Sequence, residues 1–187
     1  MGSARNLRFC RTQRGLEKMQ ARILMTAIMA LGISGATANA QSPALLKENK
    51  DWATYTFNTQ AGGKVCYAIS APTQSLPTDR NHGEVFFFVS TRPSEGVNSE
   101  PSFIVGYPFK AGSLVTADID GQKFTMFTKG DGAWVQNAAE EKRLVDAMKA
   151  GRAMSVFGQS TRGTQTSYKF SLSGITAAVR DASNACK

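Results

Sequence analysis

Histidine is almost absent from this chain, with one in 187 residues, His82, and cysteine is scarce, with three. A zinc site would therefore have to rest on carboxylates, whereas zinc sites draw on Cys and His. No G-x-S-x-G elbow occurs to carry a serine nucleophile. No glycine-rich phosphate loop is present, and no N-x-S/T acceptor follows residue 40. A His-based catalytic pair needs a nucleophile within reach of His82, and its surroundings, "DRNHGE", read as a solvated loop. There is no internal repeat, no low-complexity tract and a single long apolar run. The chain is 42% hydrophobic and 19% charged, a globular composition with enough residues for one well-filled core.

The formal net charge is +8, but it is unevenly placed. Residues 1–40 hold six basic residues (Arg5, Arg8, Arg11, Arg14, Lys18, Arg22) against Glu17, a net +5. The remainder holds 16 basic and 13 acidic residues, a net +3. An N-terminal excess of this kind does not describe a nucleic-acid-binding domain, which clusters its charge on a folded face.

The apolar run explains the N-terminus. "KMQAR" places positive charge before "ILMTAIMALGISGATA", and "ANA" (Ala38-Asn39-Ala40) then precedes Gln41. A basic region, a short apolar region and an A-x-A site form the secretory signal pattern, with cleavage expected between Ala40 and Gln41. The run is too short and too rich in small residues to span a bilayer comfortably. Met19 would itself serve as a start, which makes residues 1–18 readable as a start-site artefact. With residues 1–40 removed, Cys10 is lost and Cys66 and Cys186 remain. In "GGKVCYAIS" Cys66 is open to several readings: nucleophile, metal ligand, small buried hydrophobe or half of a disulfide. An even count in an exported chain favours a Cys66–Cys186 disulfide. It would close a loop of about 120 residues, worth on the order of 4–5 kcal/mol on the chain-entropy account.

The expected product is a polar lead-in over 41–50 and a single domain over 51–187. Short alternating runs separated by turn residues predict strands at Trp52–Asn58, Lys64–Ser70, Glu84–Thr91, Ser102–Tyr107, Ser113–Ile119, Gln122–Thr128, Ala133–Gln136, Arg152–Gln159 and Thr166–Ser173. Asp120-Gly121 is a type I′ hairpin signal. "VFFFV" is apolar on both faces and belongs in the middle of a sheet. "NAAEEKRLVDAMKAG" (137–151) breaks the rhythm: Asn137 and Glu140 match a capping box, and Leu144, Val145 and Met148 share a helix face. A second, short helix fits "GITAAVRDASNAC", where Ile175 and Val179 lie four apart. The fold class predicted is mainly β, an antiparallel sandwich or barrel of about nine short strands with one inserted helix and a short C-terminal one.

Other chemistry is thin. Asp118, Asp120 and Asp131 sit in "DIDG" and "KGDG", fragments of a calcium loop that complete no EF-hand pattern; turn residues are the plain reading. Phe86, Phe87, Phe88, Phe103, Tyr107, Phe109, Trp134 and Phe157 lie in strands or at their ends and are expected in the core. Arg92, Lys110, Lys129 and Arg162 are expected in loops as a mildly basic patch.

The runs "GGKVCYAIS", "GEVFFFVSTRPSEGVNSE", "IVGYPFKAGSLVTADIDGQKFTMFTKGDGAWVQNAAEEKRLVDAMKAG" and "RGTQTSYKFSLSGITAA" resemble the invasion-associated locus B family over about Trp52–Lys187. The resemblance implies an exported alphaproteobacterial protein, in pathogenic members associated with host-cell invasion, and supplies no catalytic residues. Some members carry a further cysteine after the tryptophan. "WATYTFNT" has none, so Cys186 stands as the sole partner for Cys66. The expectation is a non-enzymatic periplasmic or secreted module without a cofactor or metal. Its partner would be a protein or glycan of the envelope or host surface, engaged through the loops at 71–83 and 92–101. Nucleic acid and a membrane span in the mature chain are excluded. The alternatives are an envelope-acting hydrolase built on His82 or the aspartates, and a purely structural envelope protein.

Overall fold

The structure is a computed structural model that describes residues 42–187. The expected signal segment and its Ala40–Gln41 junction lie outside the described residues. Eleven strands form one antiparallel sheet: β1 Ala44–Asn49, β2 Trp52–Asn58, β3 Lys64–Ser70, β4 Gln74–Leu76, β5 Phe86–Arg92, β6 Val97–Ile104, β7 Leu114–Ile119, β8 Gln122–Lys129, β9 Gly132–Trp134, β10 Ala153–Gln159 and β11 Gln165–Ser171. Two helices complete it, α1 Ala138–Ala150 and α2 Ile175–Ala185. The strand order is β1-β2-β3-β5-β6-β9-β8-β7-β10-β11-β4, so among the described residues the sheet has two unpaired edges and is not closed into a barrel. It nonetheless folds back on itself. Phe87 of β5 and Phe103 of β6 meet Phe170 of β11 with ring centroids 5.9 and 6.1 Å apart, which gives a sandwich-like core between distant strands.

The predicted strands are present, with β2 and β3 at the expected bounds and β5 fourth in the order, away from either edge. Two strands are added. The stretch read as a polar lead-in is β1, and Gln74–Leu76, read as loop, is β4; both are edges. Exposure explains why neither showed an apolar pattern, since an edge strand needs only one neighbour's backbone to hold it. β6 starts five residues earlier than predicted. A register shift between Ser90 and Arg92, and Ser99 at φ 60°, carry the β5–β6 pair around a bend that alternation alone does not signal.

The turn chemistry reads as expected at β7–β8, where Asp120 and Gly121 take φ of 51° and 87°. Asn137 caps α1 by accepting from the Glu140 amide at 3.0 Å. The reciprocal half of the capping box is not made, because the Glu140 carboxylate accepts from Arg143 instead, at 2.7 and 2.8 Å. Leu144, Val145 and Met148 are buried, as their spacing implies. Gly151 ends α1 in extended geometry rather than left-handed; its small size matters because a Cβ would sit 2.5 Å from Ile119 Cγ2.

α2 lies against β2 and β3. It is held there by Thr54 Oγ1 donating to the Ala178 carbonyl at 3.2 Å and by the disulfide from Cys66 to Cys186. Trp52, 1% exposed, donates its indole N–H to the Ser171 carbonyl at 2.9 Å, so it reaches β11 across the core. The inward residues of the sheet and the apolar sides of both helices form one cluster, with a small satellite of Cys66, Ala182 and Cys186.

Candidate functional site

The disulfide is formed: Cys66 and Cys186 are bonded at 2.04 Å, with Cα atoms 5.8 Å apart, and both are buried. A bonded, buried cysteine offers no thiolate, so the nucleophile and ligand readings of Cys66 end there.

His82 is not the solvated loop residue that its sequence context suggests. It is half-buried, and both ring nitrogens are engaged: Nδ1 lies 2.7 Å from the Tyr168 hydroxyl and Nε2 lies 2.9 Å from the Pro77 carbonyl. Tyr168 donates to the Tyr107 hydroxyl at 2.9 Å, and Tyr107 lies 2.7 Å from Thr166 Oγ1, which donates to the Gly158 carbonyl at 3.2 Å. Burial, then Tyr107, raises the Tyr168 phenol well above its ordinary range, so it stays a neutral donor. The chain of contacts pins the 77–83 loop onto β11. The loop comes in close because Gly83 and Gly106 cross without room for a Cβ on either. His82 thus has no ring nitrogen left for a substrate in this arrangement.

The aspartates stay apart from it in role. Asp118 Oδ1 accepts from the Gly121 amide at 2.9 Å and braces the β7–β8 turn; Asp120 is in that turn, and Asp131 lies between β8 and β9. Among the described residues no group of three His, Cys, Asp or Glu side chains is placed to hold a metal. Nor is the basic patch assembled as expected, since Arg92 is paired with Glu95 at 2.8 Å and Glu100 at 3.1 Å. Of the two expected binding loops, 71–83 is loop apart from the three residues of β4, whereas 92–101 is largely regular structure, with a 3-10 turn at Pro93–Glu95 and the start of β6.

The surface that stands out instead is the outer face of the sheet. Following the register outward gives one row across seven strands: Ala53, Ile69, Phe88, Ser102, Trp134, Phe127 and Leu114. A second, shorter row runs beside it, where Leu45 pairs with Tyr55 and Tyr55 with Tyr67. The rings touch: Tyr55–Tyr67 centroids are 5.7 Å apart and nearly parallel, Tyr67–Phe88 5.6 Å, Phe86–Phe88 6.1 Å and Phe127–Trp134 6.2 Å. Phe127 is 43% exposed and Leu114 59%. Tyr55, Tyr67, Phe86 and Phe88 are half-buried, shielded mainly by one another. An open cleft of about 380 Å³ lies along Tyr55, Tyr67, Ile69 and Phe86, and a wider one of about 720 Å³ beside Phe127 and Trp134.

Phe86, Phe88, Trp134 and Phe157 therefore leave the core to which they were assigned, while Phe87, Phe103 and Phe109 stay in it. Tyr55 and Tyr67 were missed as surface residues. The signal was available in the alternation: Trp52 and Thr54 face in, so Tyr55 and Phe57 face out, and Cys66 and Ala68 do the same for Tyr67 and Ile69.

A family model described as invasion associated locus B (IalB) protein matches residues 52–183. A crystal structure of invasion associated protein B from Bartonella henselae matches at 14% identity with a TM-score of 0.54, over 76% of this chain and 97% of that one. At that identity the likeness concerns the fold. No curated protein matches the chain.

Proposed function

The chain belongs to the invasion-associated locus B family, and from that premise we propose that it is an exported, non-enzymatic binding module of the cell envelope, working in the periplasm or at the cell surface. The observation that carries the reading is the uncovered aromatic row on the outer face. Contiguous, partly exposed aromatic side chains on the outer face of a folded sheet fit an interaction site. Its contiguous rings sit on β2, β3 and β5, and α2 with the disulfide braces β2 and β3 from the inside, so the surface is preorganised. Export is supported by the secretory pattern ending at Ala40 and by a disulfide of the kind that persists in oxidising compartments. An association with a host surface, which the family name brings with it, is a special case of the same reading. The hydrolase alternative has no supporting observation, since His82 is committed to Tyr168 and Pro77 and the aspartates serve turns.

The test is retention on the envelope. Cells expressing the full chain are fractionated and the mature N-terminus is sequenced. The protein is expected outside the cytoplasm, beginning at Gln41, and retained by envelope material. A Tyr67→Ala/Phe88→Ala variant should be exported equally but washed off. Intact precursor in the cytoplasm, or equal retention of the variant, would sink the proposal.

A further inference from the structure

The aromatic row tells what kind of ligand it fits, an inference that rests on the binding reading above. Three observations bear on it. First, Tyr55 and Tyr67 pair directly across β2 and β3 with centroids 5.7 Å apart and rings nearly parallel, and Phe88, diagonal to Tyr67 in the next row, continues the series at 5.6 Å with its ring tilted by 58°, so the three rings form a twisted run of near-equal steps. That step is close to the length of one pyranose unit in an extended chain. Sugar rings present flat C–H faces that pack on aromatic side chains, and each aromatic contact loses little side-chain entropy.

Second, the hydroxyls of Tyr55 and Tyr67 are not among the buried polar atoms left without a partner, so on half-buried rings they are open to solvent and to a ligand. Burial, and after it the neighbouring Tyr55, raises the Tyr67 phenol above its ordinary value, so it remains a donor at any working pH. An apolar protein partner would cover these hydroxyls and leave them unpaired, which costs free energy. A ligand with many hydroxyls of its own would pair them.

Third, the charge around the row is mixed. Glu48, Lys50 and Asp51 stand at one end, and Glu100 and Lys129 at the other. A polyanion or an anionic lipid surface calls for a cationic rim, and this rim is close to balanced. An uncharged ligand matches it.

The geometry points to a neutral, extended oligosaccharide as the occupant, lying across β2, β3 and β5 with its sugar faces on Tyr55, Tyr67 and Phe88. Its source is a glycan of the cell's own envelope, where an exported chain of this kind would meet it.

The experiment is titration of the purified full chain with cellohexaose, a neutral chain with flat faces, and with a heparin hexasaccharide as a polyanion of the same length. Saturable cellohexaose binding without heparin binding is expected. Tyr67→Ala/Phe88→Ala should weaken it at least tenfold, roughly the loss of one or two aromatic contacts. Tyr67→Phe, which removes only the hydroxyl, should weaken it about threefold, a modest hydrogen-bond contribution. Phe157→Ala, an exposed aromatic on β10 outside the row, should bind as the parent does. The Tyr67→Phe variant keeps the test meaningful if the double variant fails to fold. No binding of cellohexaose, preference for heparin, or equal damage from Phe157→Ala would overturn the proposal, as would burial of the row in a concentration-dependent dimer. Loss of sugar binding with row-dependent envelope retention intact would overturn the ligand class and leave the binding module standing.

Discussion

Phe87 and Phe88 are neighbours in β5 and point to opposite faces of the same sheet. Phe87 is fully buried, against Phe103 and Phe170. Phe88 touches Tyr67 and Phe86 and then solvent. The same division holds along β3, where Cys66 and Ala68 lie under α2 while Tyr67 and Ile69 are left uncovered. A chain that covers one face of its sheet with a helix and a disulfide, and leaves large rings on the other, has put its folding energy inside and kept outside a surface that folding does not consume.

Four substitutions test that contrast. Cys66→Ser removes the tie that holds α2 to the inner face. With the two cysteines 120 positions apart, it should cost on the order of 4–5 kcal/mol, read as a lowered melting temperature under non-reducing conditions. A parent-like melt would show that α2 docks without it. Phe87→Ala should cost about 3–5 kcal/mol in denaturant unfolding, the ordinary range for a core phenylalanine. Phe88→Ala, one residue on, should cost about 1 kcal/mol, the worth of its aromatic contacts. If these two variants proved equally destabilising, the outer face would belong to the core and the contrast would fail.

The smallest effect lies at the margin between the faces. Asp181 of α2 accepts from Asn49 Nδ2 at 3.1 Å and lies 3.6 Å from Lys47, both on β1. The Asn49 hydrogen bond, ahead of the attraction of Lys47, holds its carboxyl below the usual range. A depressed folded-state value stabilises above the unfolded value of about 4 and is lost as pH falls through the folded one. Asp181→Asn should therefore cost under about 1 kcal/mol at pH 7. The gap to the parent should close below about pH 4 in urea melts across pH 2–7, and a gap that widened on acidification would contradict the assignment.

Much of the fold is legible in the sequence where local chemistry decides it. Alternation sets β2 and β3, Asp120-Gly121 sets the hairpin, and Asn137 with Leu144, Val145 and Met148 sets α1. β1 and β4 were illegible because an exposed edge strand is specified by the neighbour it joins. The bend in β6 depends on a register shift against β5, a tertiary feature. The disulfide followed from counting. The outer face did not, because an aromatic in a strand is equally consistent with core and surface until strand order shows which side has a helix over it. His82 shows the converse: a polar loop context concealed partners 86 residues away in Tyr168 and 5 away in Pro77.

The two margins of the sheet carry one more consequence. A wide ladder with open ends invites a neighbouring molecule to extend it, and an exposed row of rings beside such an end would invite it further. Here one end is β4, three residues long and followed by Pro77, whose ring has no N–H to give. The other is β1, whose register slips between Leu45 and Lys47 and which carries a lysine where a smooth edge would carry an apolar residue. Short, kinked and charged borders resist fibril-like growth, so the exposed rings lie on a ladder that offers a neighbouring molecule no smooth edge to extend.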